Sequence, residues 1–158
     1  MKNSTLLFLI RKSSGATDVC LAMRKLGDRK GRYNGVDAVV GNDETPESAA
    51  QRSAQEEVGV TVDRVIKRGE IAFIFPHDPS LDHQFHIFVS EDFTGEPLAS
   101  DEMDPSWLST SYIPYSEMWQ DVIFWLPLVL EGKKVQGRFV FGEGDVIKEK
   151  EVKTVETL

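Results

Sequence analysis

Among the 158 residues of this chain, those best placed to do chemistry are the adjacent carboxylates Glu56 and Glu57, with Arg52 one turn before them. They lie near the end of a stretch that reads as a helix. Thr45 suits its N-cap, Pro46 its first position, and Glu47 falls where the positive end of the helix dipole favours an anion. Gly59 suits the exit, because glycine takes the left-handed conformation there that a side chain resists. Between those ends, the 3.6-residue period sets Ala50, Ala54 and Val58 on one stripe and Arg52, Ser53, Glu56 and Glu57 on the adjoining faces. Two anions near the negative end of a helix dipole pose an electrostatic problem that a hard divalent cation would resolve. A solvated acidic face has the same composition, and from the helix alone both readings stand. A second chemical group precedes the helix: Arg24, Lys25, Arg29, Lys30 and Arg32 crowd one segment. They could line a pocket for a nucleotide's phosphates or form a solvated basic loop.

The elements that must position these groups follow from pattern. Residues 5–10 and 19–23 are β-rich runs joined by a polar, Gly-containing connection, which predicts neighbouring strands. Residues 36–40 form a short strand leading into the acidic loop before the helix. Beyond it, residues 62–68 and 70–75 read as two strands, the second with Ile71, Phe73 and Phe75 on one face. A loop over 76–82 precedes a strand over 83–89, and the acidic stretch 91–104 reads as loop until a short strand begins at Trp107. Residues 116–130 carry Met118, Trp119, Val122, Trp125, Leu126 and Val129 at helical spacings, which predicts a second helix ending at Gly132. Residues 139–155 close the chain as a hairpin. The order predicts one domain over residues 1–158, an α/β sandwich around a mixed sheet.

Composition narrows the partners. A hydrophobic content of 41% is ordinary for a soluble protein, and a net charge of −8 argues against binding a nucleic-acid polymer or an anionic membrane. Cys20 is the only cysteine, so no internal disulfide or Cys-ligated zinc site can form, and a reducing cytoplasm fits. The apolar run 6–10 is too short for a membrane helix and reads as a buried strand. His77, His83 and His86 match no usual zinc spacing.

Arg52-Ser53-Ala54-Gln55-Glu56-Glu57-Val58-Gly59-Val60, with Glu44 upstream, resembles the Nudix box, G-x5-E-x7-R-E-U-x-E-E-x-G-U with U aliphatic. The opening glycine is Ala38 here, and the first glutamate of the core is Ser53. Residues 31–35, 44–47, 55–63, 100–103, 113–119 and 137–141 are similar, in the same order, to the branch of Nudix enzymes that removes oxidised purine nucleoside triphosphates such as 8-oxo-dGTP, related to MutT. The resemblance implies a Nudix-type α/β/α sandwich and Mg²⁺-dependent hydrolysis, with Mn²⁺ an alternative, giving nucleoside monophosphate and pyrophosphate. It implies metal ligands at Asp37 (through its backbone carbonyl, where the family has glycine), Glu56, Glu57 and Glu102, catalytic roles for Glu56, Glu57 and Arg52, and substrate contacts from Thr5, Arg24, Asn34, Phe73, Phe75, Trp119 and Asp121. The partner it implies is a small nucleotide, bound by a monomer or weak dimer.

An indole can stack on a purine while an amide and a carboxyl group read its edge. From residue type alone, Phe73, Phe75 and Trp119 suit a protein core equally well. The branch's second acidic pocket position is Val122, its lysine after the opening glycine is Val39, and its phenylalanine in the basic loop is Asp28. With Ser53 neutral, two classes of function remain open: an altered or slow nucleotide diphosphatase, and a nucleotide-binding protein of the same fold without useful turnover.

Overall fold

The computed structural model describes residues 1–27 and 30–158; Asp28 and Arg29 of the basic segment lie outside the described residues. Strands β1 (Lys2–Ser13) and β2 (Ala16–Arg24) form a hairpin closed by Ser14 and Gly15, whose φ angles of 50° and 81° match the two-residue turn that suits twisted strands. The strands run further than the apolar residues predicted and absorb most of the polar connection. Short strands β3 (Tyr33–Asn34) and β4 (Val36–Val39) precede helix α1 (Pro46–Val58). Strands β5 (Thr61–Ile74), β6 (His83–Thr94) and β7 (Met103–Ser109) follow, then helix α2 (Val122–Leu130) and strands β8 (Lys134–Phe141) and β9 (Ile147–Val155).

The sheet is mixed, in the order β3-β2-β1-β6-β5-β8-β9, with β4 pairing β1 and β7 pairing β2. The β1–β6 and β5–β8 pairs are parallel, and the other pairs are antiparallel. Strand alternation on β1 sends Leu6, Phe8 and Ile10 to a core with Trp125, Leu126 and Phe139, while Leu7 and Leu9 pack with Ala50, Ala54 and Val58 of α1. Both faces of β1 are therefore buried, which explains an uninterrupted apolar run where a one-sided strand would alternate. Among the described residues, no helix is long and apolar enough to cross a membrane.

Three elements differ from the sequence reading. The two strands expected on either side of Gly69 are one, β5. A Cβ at Gly69 would lie 2.8 Å from Val135 Cγ2, so this glycine marks close packing between strands rather than a break. The stretch expected to be loop over 91–104 is strand at both ends, as β6 continues to Thr94 and β7 starts at Met103. The second helix is shorter than predicted. Tyr115–Glu117 is a 3-10 turn, Met118 is extended at φ −124° and ψ 171°, and the α-helix begins only at Val122. Here tertiary contacts override the helical period: Arg32 donates to the Met118 carbonyl at 3.2 Å and lays its guanidinium over the Trp119 ring, 4.4 Å from the centroid.

Candidate active site

Helix α1 has the ends its sequence predicts. The Thr45 hydroxyl accepts from the Ser48 N–H at 3.1 Å, and Gly59, at φ 70°, returns its N–H to the carbonyls of Ala54 and Gln55. The capped helix holds its two glutamates in different surroundings. Glu56 is exposed and receives one bond from Arg52 at 3.3 Å. Glu57 turns inward, its side chain only 13% exposed, toward Arg24 and Asp37. Arg24 Nη2 donates to Asp37 Oδ1 at 2.5 Å and lies 3.7 Å from Glu57 Oε1. Burial, reinforced by the negative charge of Asp37 and opposed by Arg24, raises the Glu57 carboxyl from its ordinary range to about 8. Its Oε2 atom is buried without a hydrogen-bond partner.

Arg52 does not reach this centre. Its Nε and Nη2 donate to the two carboxylate oxygens of Glu44 at 2.8 and 2.9 Å, and Nη2 also donates to the Val39 carbonyl at 2.9 Å. It fastens the loop before α1 and the end of β4 to the helix, which makes it a positioning residue. The fork holds the Glu44 carboxyl down at about 2, below the usual carboxylate range. Glu102 is exposed at the mouth of β7, where its carbonyl accepts from the Lys25 N–H at 2.8 Å. Of the metal ligands implied by the resemblance, the structure brings Asp37 and Glu57 together, on one guanidinium. Among the described residues, no group of three or more His, Cys, Asp or Glu side chains is gathered closely enough to hold a metal ion. Two carboxylates and an orphaned buried oxygen still suit a hard cation that completes its shell with water and phosphate oxygens.

The other half of the site is a cavity of about 500 Å³ lined by Asn34, Phe73, Phe75, Trp119 and Asp121, five of the residues expected to contact substrate. Asn34 Oδ1 accepts from the Gly35 N–H at 2.9 Å, which orients its Nδ2 amide group as a donor for a ligand. Gly35 itself admits no side chain, since a Cβ would meet the Leu7 carbonyl at 2.6 Å. Asp121 is 3% exposed and accepts from the Trp125 indole N–H at 2.8 Å; burial raises its carboxyl toward the protonated form. Phe73 in β5 and Phe75 just past its end line the cavity as the alternation predicted, and Phe75 stacks on Phe141 with centroids 5.1 Å apart.

Thr5 is not brought to this wall. It is fully buried, but on the β1 face that looks toward α1; the same strand sends Lys2 and Leu6 into the cavity. Lys2, His83 and Phe85 are lining residues that the sequence reading missed, although strand alternation puts Phe85 with Ile87 on one apolar face of β6. These three also line a second cavity, of about 330 Å³, with Arg24 and Asp37. The aromatic pocket and the cavity beside the acidic centre thereby adjoin. His83 is fixed by a 2.7 Å hydrogen bond with the Ser4 hydroxyl, and His86 Nε2 lies 3.0 Å from Asn3 Oδ1.

A sequence model of the NUDIX domain matches residues 2–128. The chain belongs to the Nudix family. It is 44% identical over 140 residues to a Danio rerio protein named oxidized purine nucleoside triphosphate hydrolase, covering 89% of each chain. A Mus musculus protein of the same name is 40% identical over 129 residues, covering 82% of each. The Nudix fold is also that of a MutT protein from Bacillus halodurans, with TM-score 0.80 at 15% identity over 97% of this chain and 98% of that one. Nudix hydrolases generally use divalent cations. In this member Asp37 and Glu57 are the two carboxylates that meet at Arg24.

Proposed function

We propose that this Nudix protein hydrolyses oxidised purine nucleoside triphosphates, such as 8-oxo-dGTP, to nucleoside monophosphate and pyrophosphate with Mg²⁺. The observation that carries this reading is that the aromatic cavity adjoins, across Lys2 and His83, the cavity lined by Arg24 and Asp37 of the acidic centre. A purine stacked beside Trp119, with Asn34 and Asp121 at its edge, would run its phosphates into that second cavity. The high identity to relatives named for this activity supports the substrate class.

Asn34 donates from its amide, and Asp121, held toward its protonated form, adds a second donor or accepts, so one wall reads both carbonyl and ring-nitrogen atoms of a purine. Val122, buried in the core, offers no second carboxylate beside Asp121. A bound divalent cation would supply charge neutralisation on the phosphates. Glu57 and Asp37 would hold it, and Arg24 and Lys2 would add positive charge toward the phosphate oxygens. Hydrolysis breaks the bond between the α and β phosphoryl groups: water adds its oxygen to phosphorus, its proton passes to a carboxylate or solvent, and pyrophosphate departs. Glu56 would act from the rim and Arg52 by fastening the helix. The one domain would act as a monomer or weak dimer in the cytoplasm, where a lone buried Cys20, its thiol pushed up to about 12 by burial, stays reduced.

A panel of purine nucleoside triphosphates with Mg²⁺, assayed for pyrophosphate, tests this directly. Cleavage of oxidised guanine or adenine forms in preference to dGTP and dATP is the expected result. If the whole panel resists cleavage at high protein concentration while one nucleotide raises Tm, the chain is a binding protein with a Nudix fold.

A further inference from the structure

Two departures from the family pattern meet at one place. Ser53 stands where the box has a glutamate, and its hydroxyl is committed inside the helix: it is 1% exposed and donates to the Ala50 carbonyl at 2.6 Å. Helix α1 therefore brings a single carboxylate, Glu57, to the centre. Across from it, Asp37 stands where the family has glycine. The family glycine can offer only a backbone carbonyl, whereas Asp37 adds a side chain, 15% exposed, on the neighbouring strand β4.

Arg24 shows how these two acids are disposed. Its Nη2 atom is 2.5 Å from Asp37 Oδ1 and 3.7 Å from Glu57 Oε1, so a single positive point already lies between carboxylates carried by different elements. The arrangement is incomplete, because Glu57 Oε2 is buried with no donor. Withdrawing a carboxylate oxygen from water without a partner is costly, and a ligand that brings positive charge relieves that cost. The second cavity, lined by Arg24 and Asp37, opens this point to the pocket.

We infer that the Asp37 side chain replaces the missing box glutamate as the second protein carboxylate of the divalent-cation site, and that Arg24 keeps the cationic position until the ion is bound. The inference rests on the metal-dependent reading above. It makes the loss at position 53 and the gain at position 37 one relocation of charge, from the helix to the facing strand. Two protein carboxylates suffice for a hard cation whose remaining positions are water and substrate phosphate. Arg24, released from Asp37, would be left beside the phosphates in the adjoining cavity.

The test is Mn²⁺ titrated into the full chain without nucleotide, followed through the paramagnetic resonance of the free ion, so that binding is read apart from turnover. Asp37→Asn, nearly isosteric, is expected to weaken Mn²⁺ binding by at least roughly tenfold, the lower end of what losing even a supporting group costs. Arg24→Met is expected to strengthen it by removing the competing cation. Ser53→Glu, placed in the Asp37→Asn background, is expected to restore it. Unchanged affinity in Asp37→Asn, with loss in Glu57→Gln, overturns the inference and leaves the metal reading standing. If Glu57→Gln also binds Mn²⁺ as the parent does, the metal reading falls with it. Weaker binding in Arg24→Met overturns the role given to Arg24. Circular dichroism of each variant separates these outcomes from unfolding.

Discussion

The two ends of the site are built by opposite means. The acidic end is a handful of charges on α1, β2 and β4, positioned by ion pairs and by a helix whose caps are local. The aromatic end draws its walls from β1, β3, β5, β6, β8, α2 and the segment before it, and aromatic and aliphatic side chains make up most of its lining. Charge at the first end acts over short distances in a partly dry setting, so one carboxylate outweighs its neighbour according to which way it faces. At the second end a bound base would spread its contacts over several rings. On the proposed function, chemistry would belong to the first and discrimination to the second, and substitutions should separate them.

The largest separation is expected within α1. Glu57→Gln should lower kcat by roughly a hundredfold or more, because it removes the inward carboxylate. Glu56→Gln, on the exposed side, should cost far less; equal losses would break the distinction drawn between the two faces.

The pH dependence of the metal-free protein sharpens the same contrast. Glu57 has its folded value raised from 4.5 to about 8, so the folded state holds the proton more tightly than the unfolded chain. Its contribution is full below about 4.5 and is lost as pH climbs to about 8. Glu44 behaves in the opposite sense: its value is lowered from 4.5 to about 2, so the stability it contributes is present above 4.5 and is lost as pH falls through that window. Thermal unfolding should show the Glu57 slope flattened in Glu57→Gln, and Arg52→Ala should remove the acid-side slope.

At the aromatic end, Trp119→Ala should raise KM by roughly fivefold, about 1 kcal/mol, with Mn²⁺ affinity unchanged. A parallel loss of metal binding would mean that the two ends are not separable. Smallest of all, Thr45→Ala should cost about 1 kcal/mol of stability through the lost cap, roughly 2–4 °C in Tm. Its kcat per folded molecule should hold.

What could be read from the chain divides along the same line. Thr45, Pro46 and Gly59 announce α1 because caps are set by nearest neighbours, and the structure has its ends there. The periodicity around Trp119 instead overran the helix start, because Arg32, distant in sequence, takes the Met118 carbonyl. Phe73 and Phe75 were legible from strand alternation. Lys2 and His83 were not, since they meet only where β1 and β6 pair in parallel. Thr5 fails as a pocket contact by parity: one position along β1 exchanges the pocket face for the α1 face. Adjacent glutamates pose the same difficulty on a helix, where side chains one residue apart diverge by roughly 100° and only packing decides which one is enclosed.

The central place of β1 has a consequence for biosynthesis. Its apolar run leaves the ribosome well before its parallel partner β6, which begins only at His83, and the α2 core that covers Leu6, Phe8 and Ile10 comes later still. Until then the hairpin to β2, the short strand β4 and, over Leu7 and Leu9, helix α1 shield this strongly β-forming segment, while its Leu6, Phe8 and Ile10 face stays uncovered. Nascent chains stalled before β6 should therefore be the species most dependent on chaperones, and amides of β1, once enclosed on both sides, should be among the slowest to exchange with solvent.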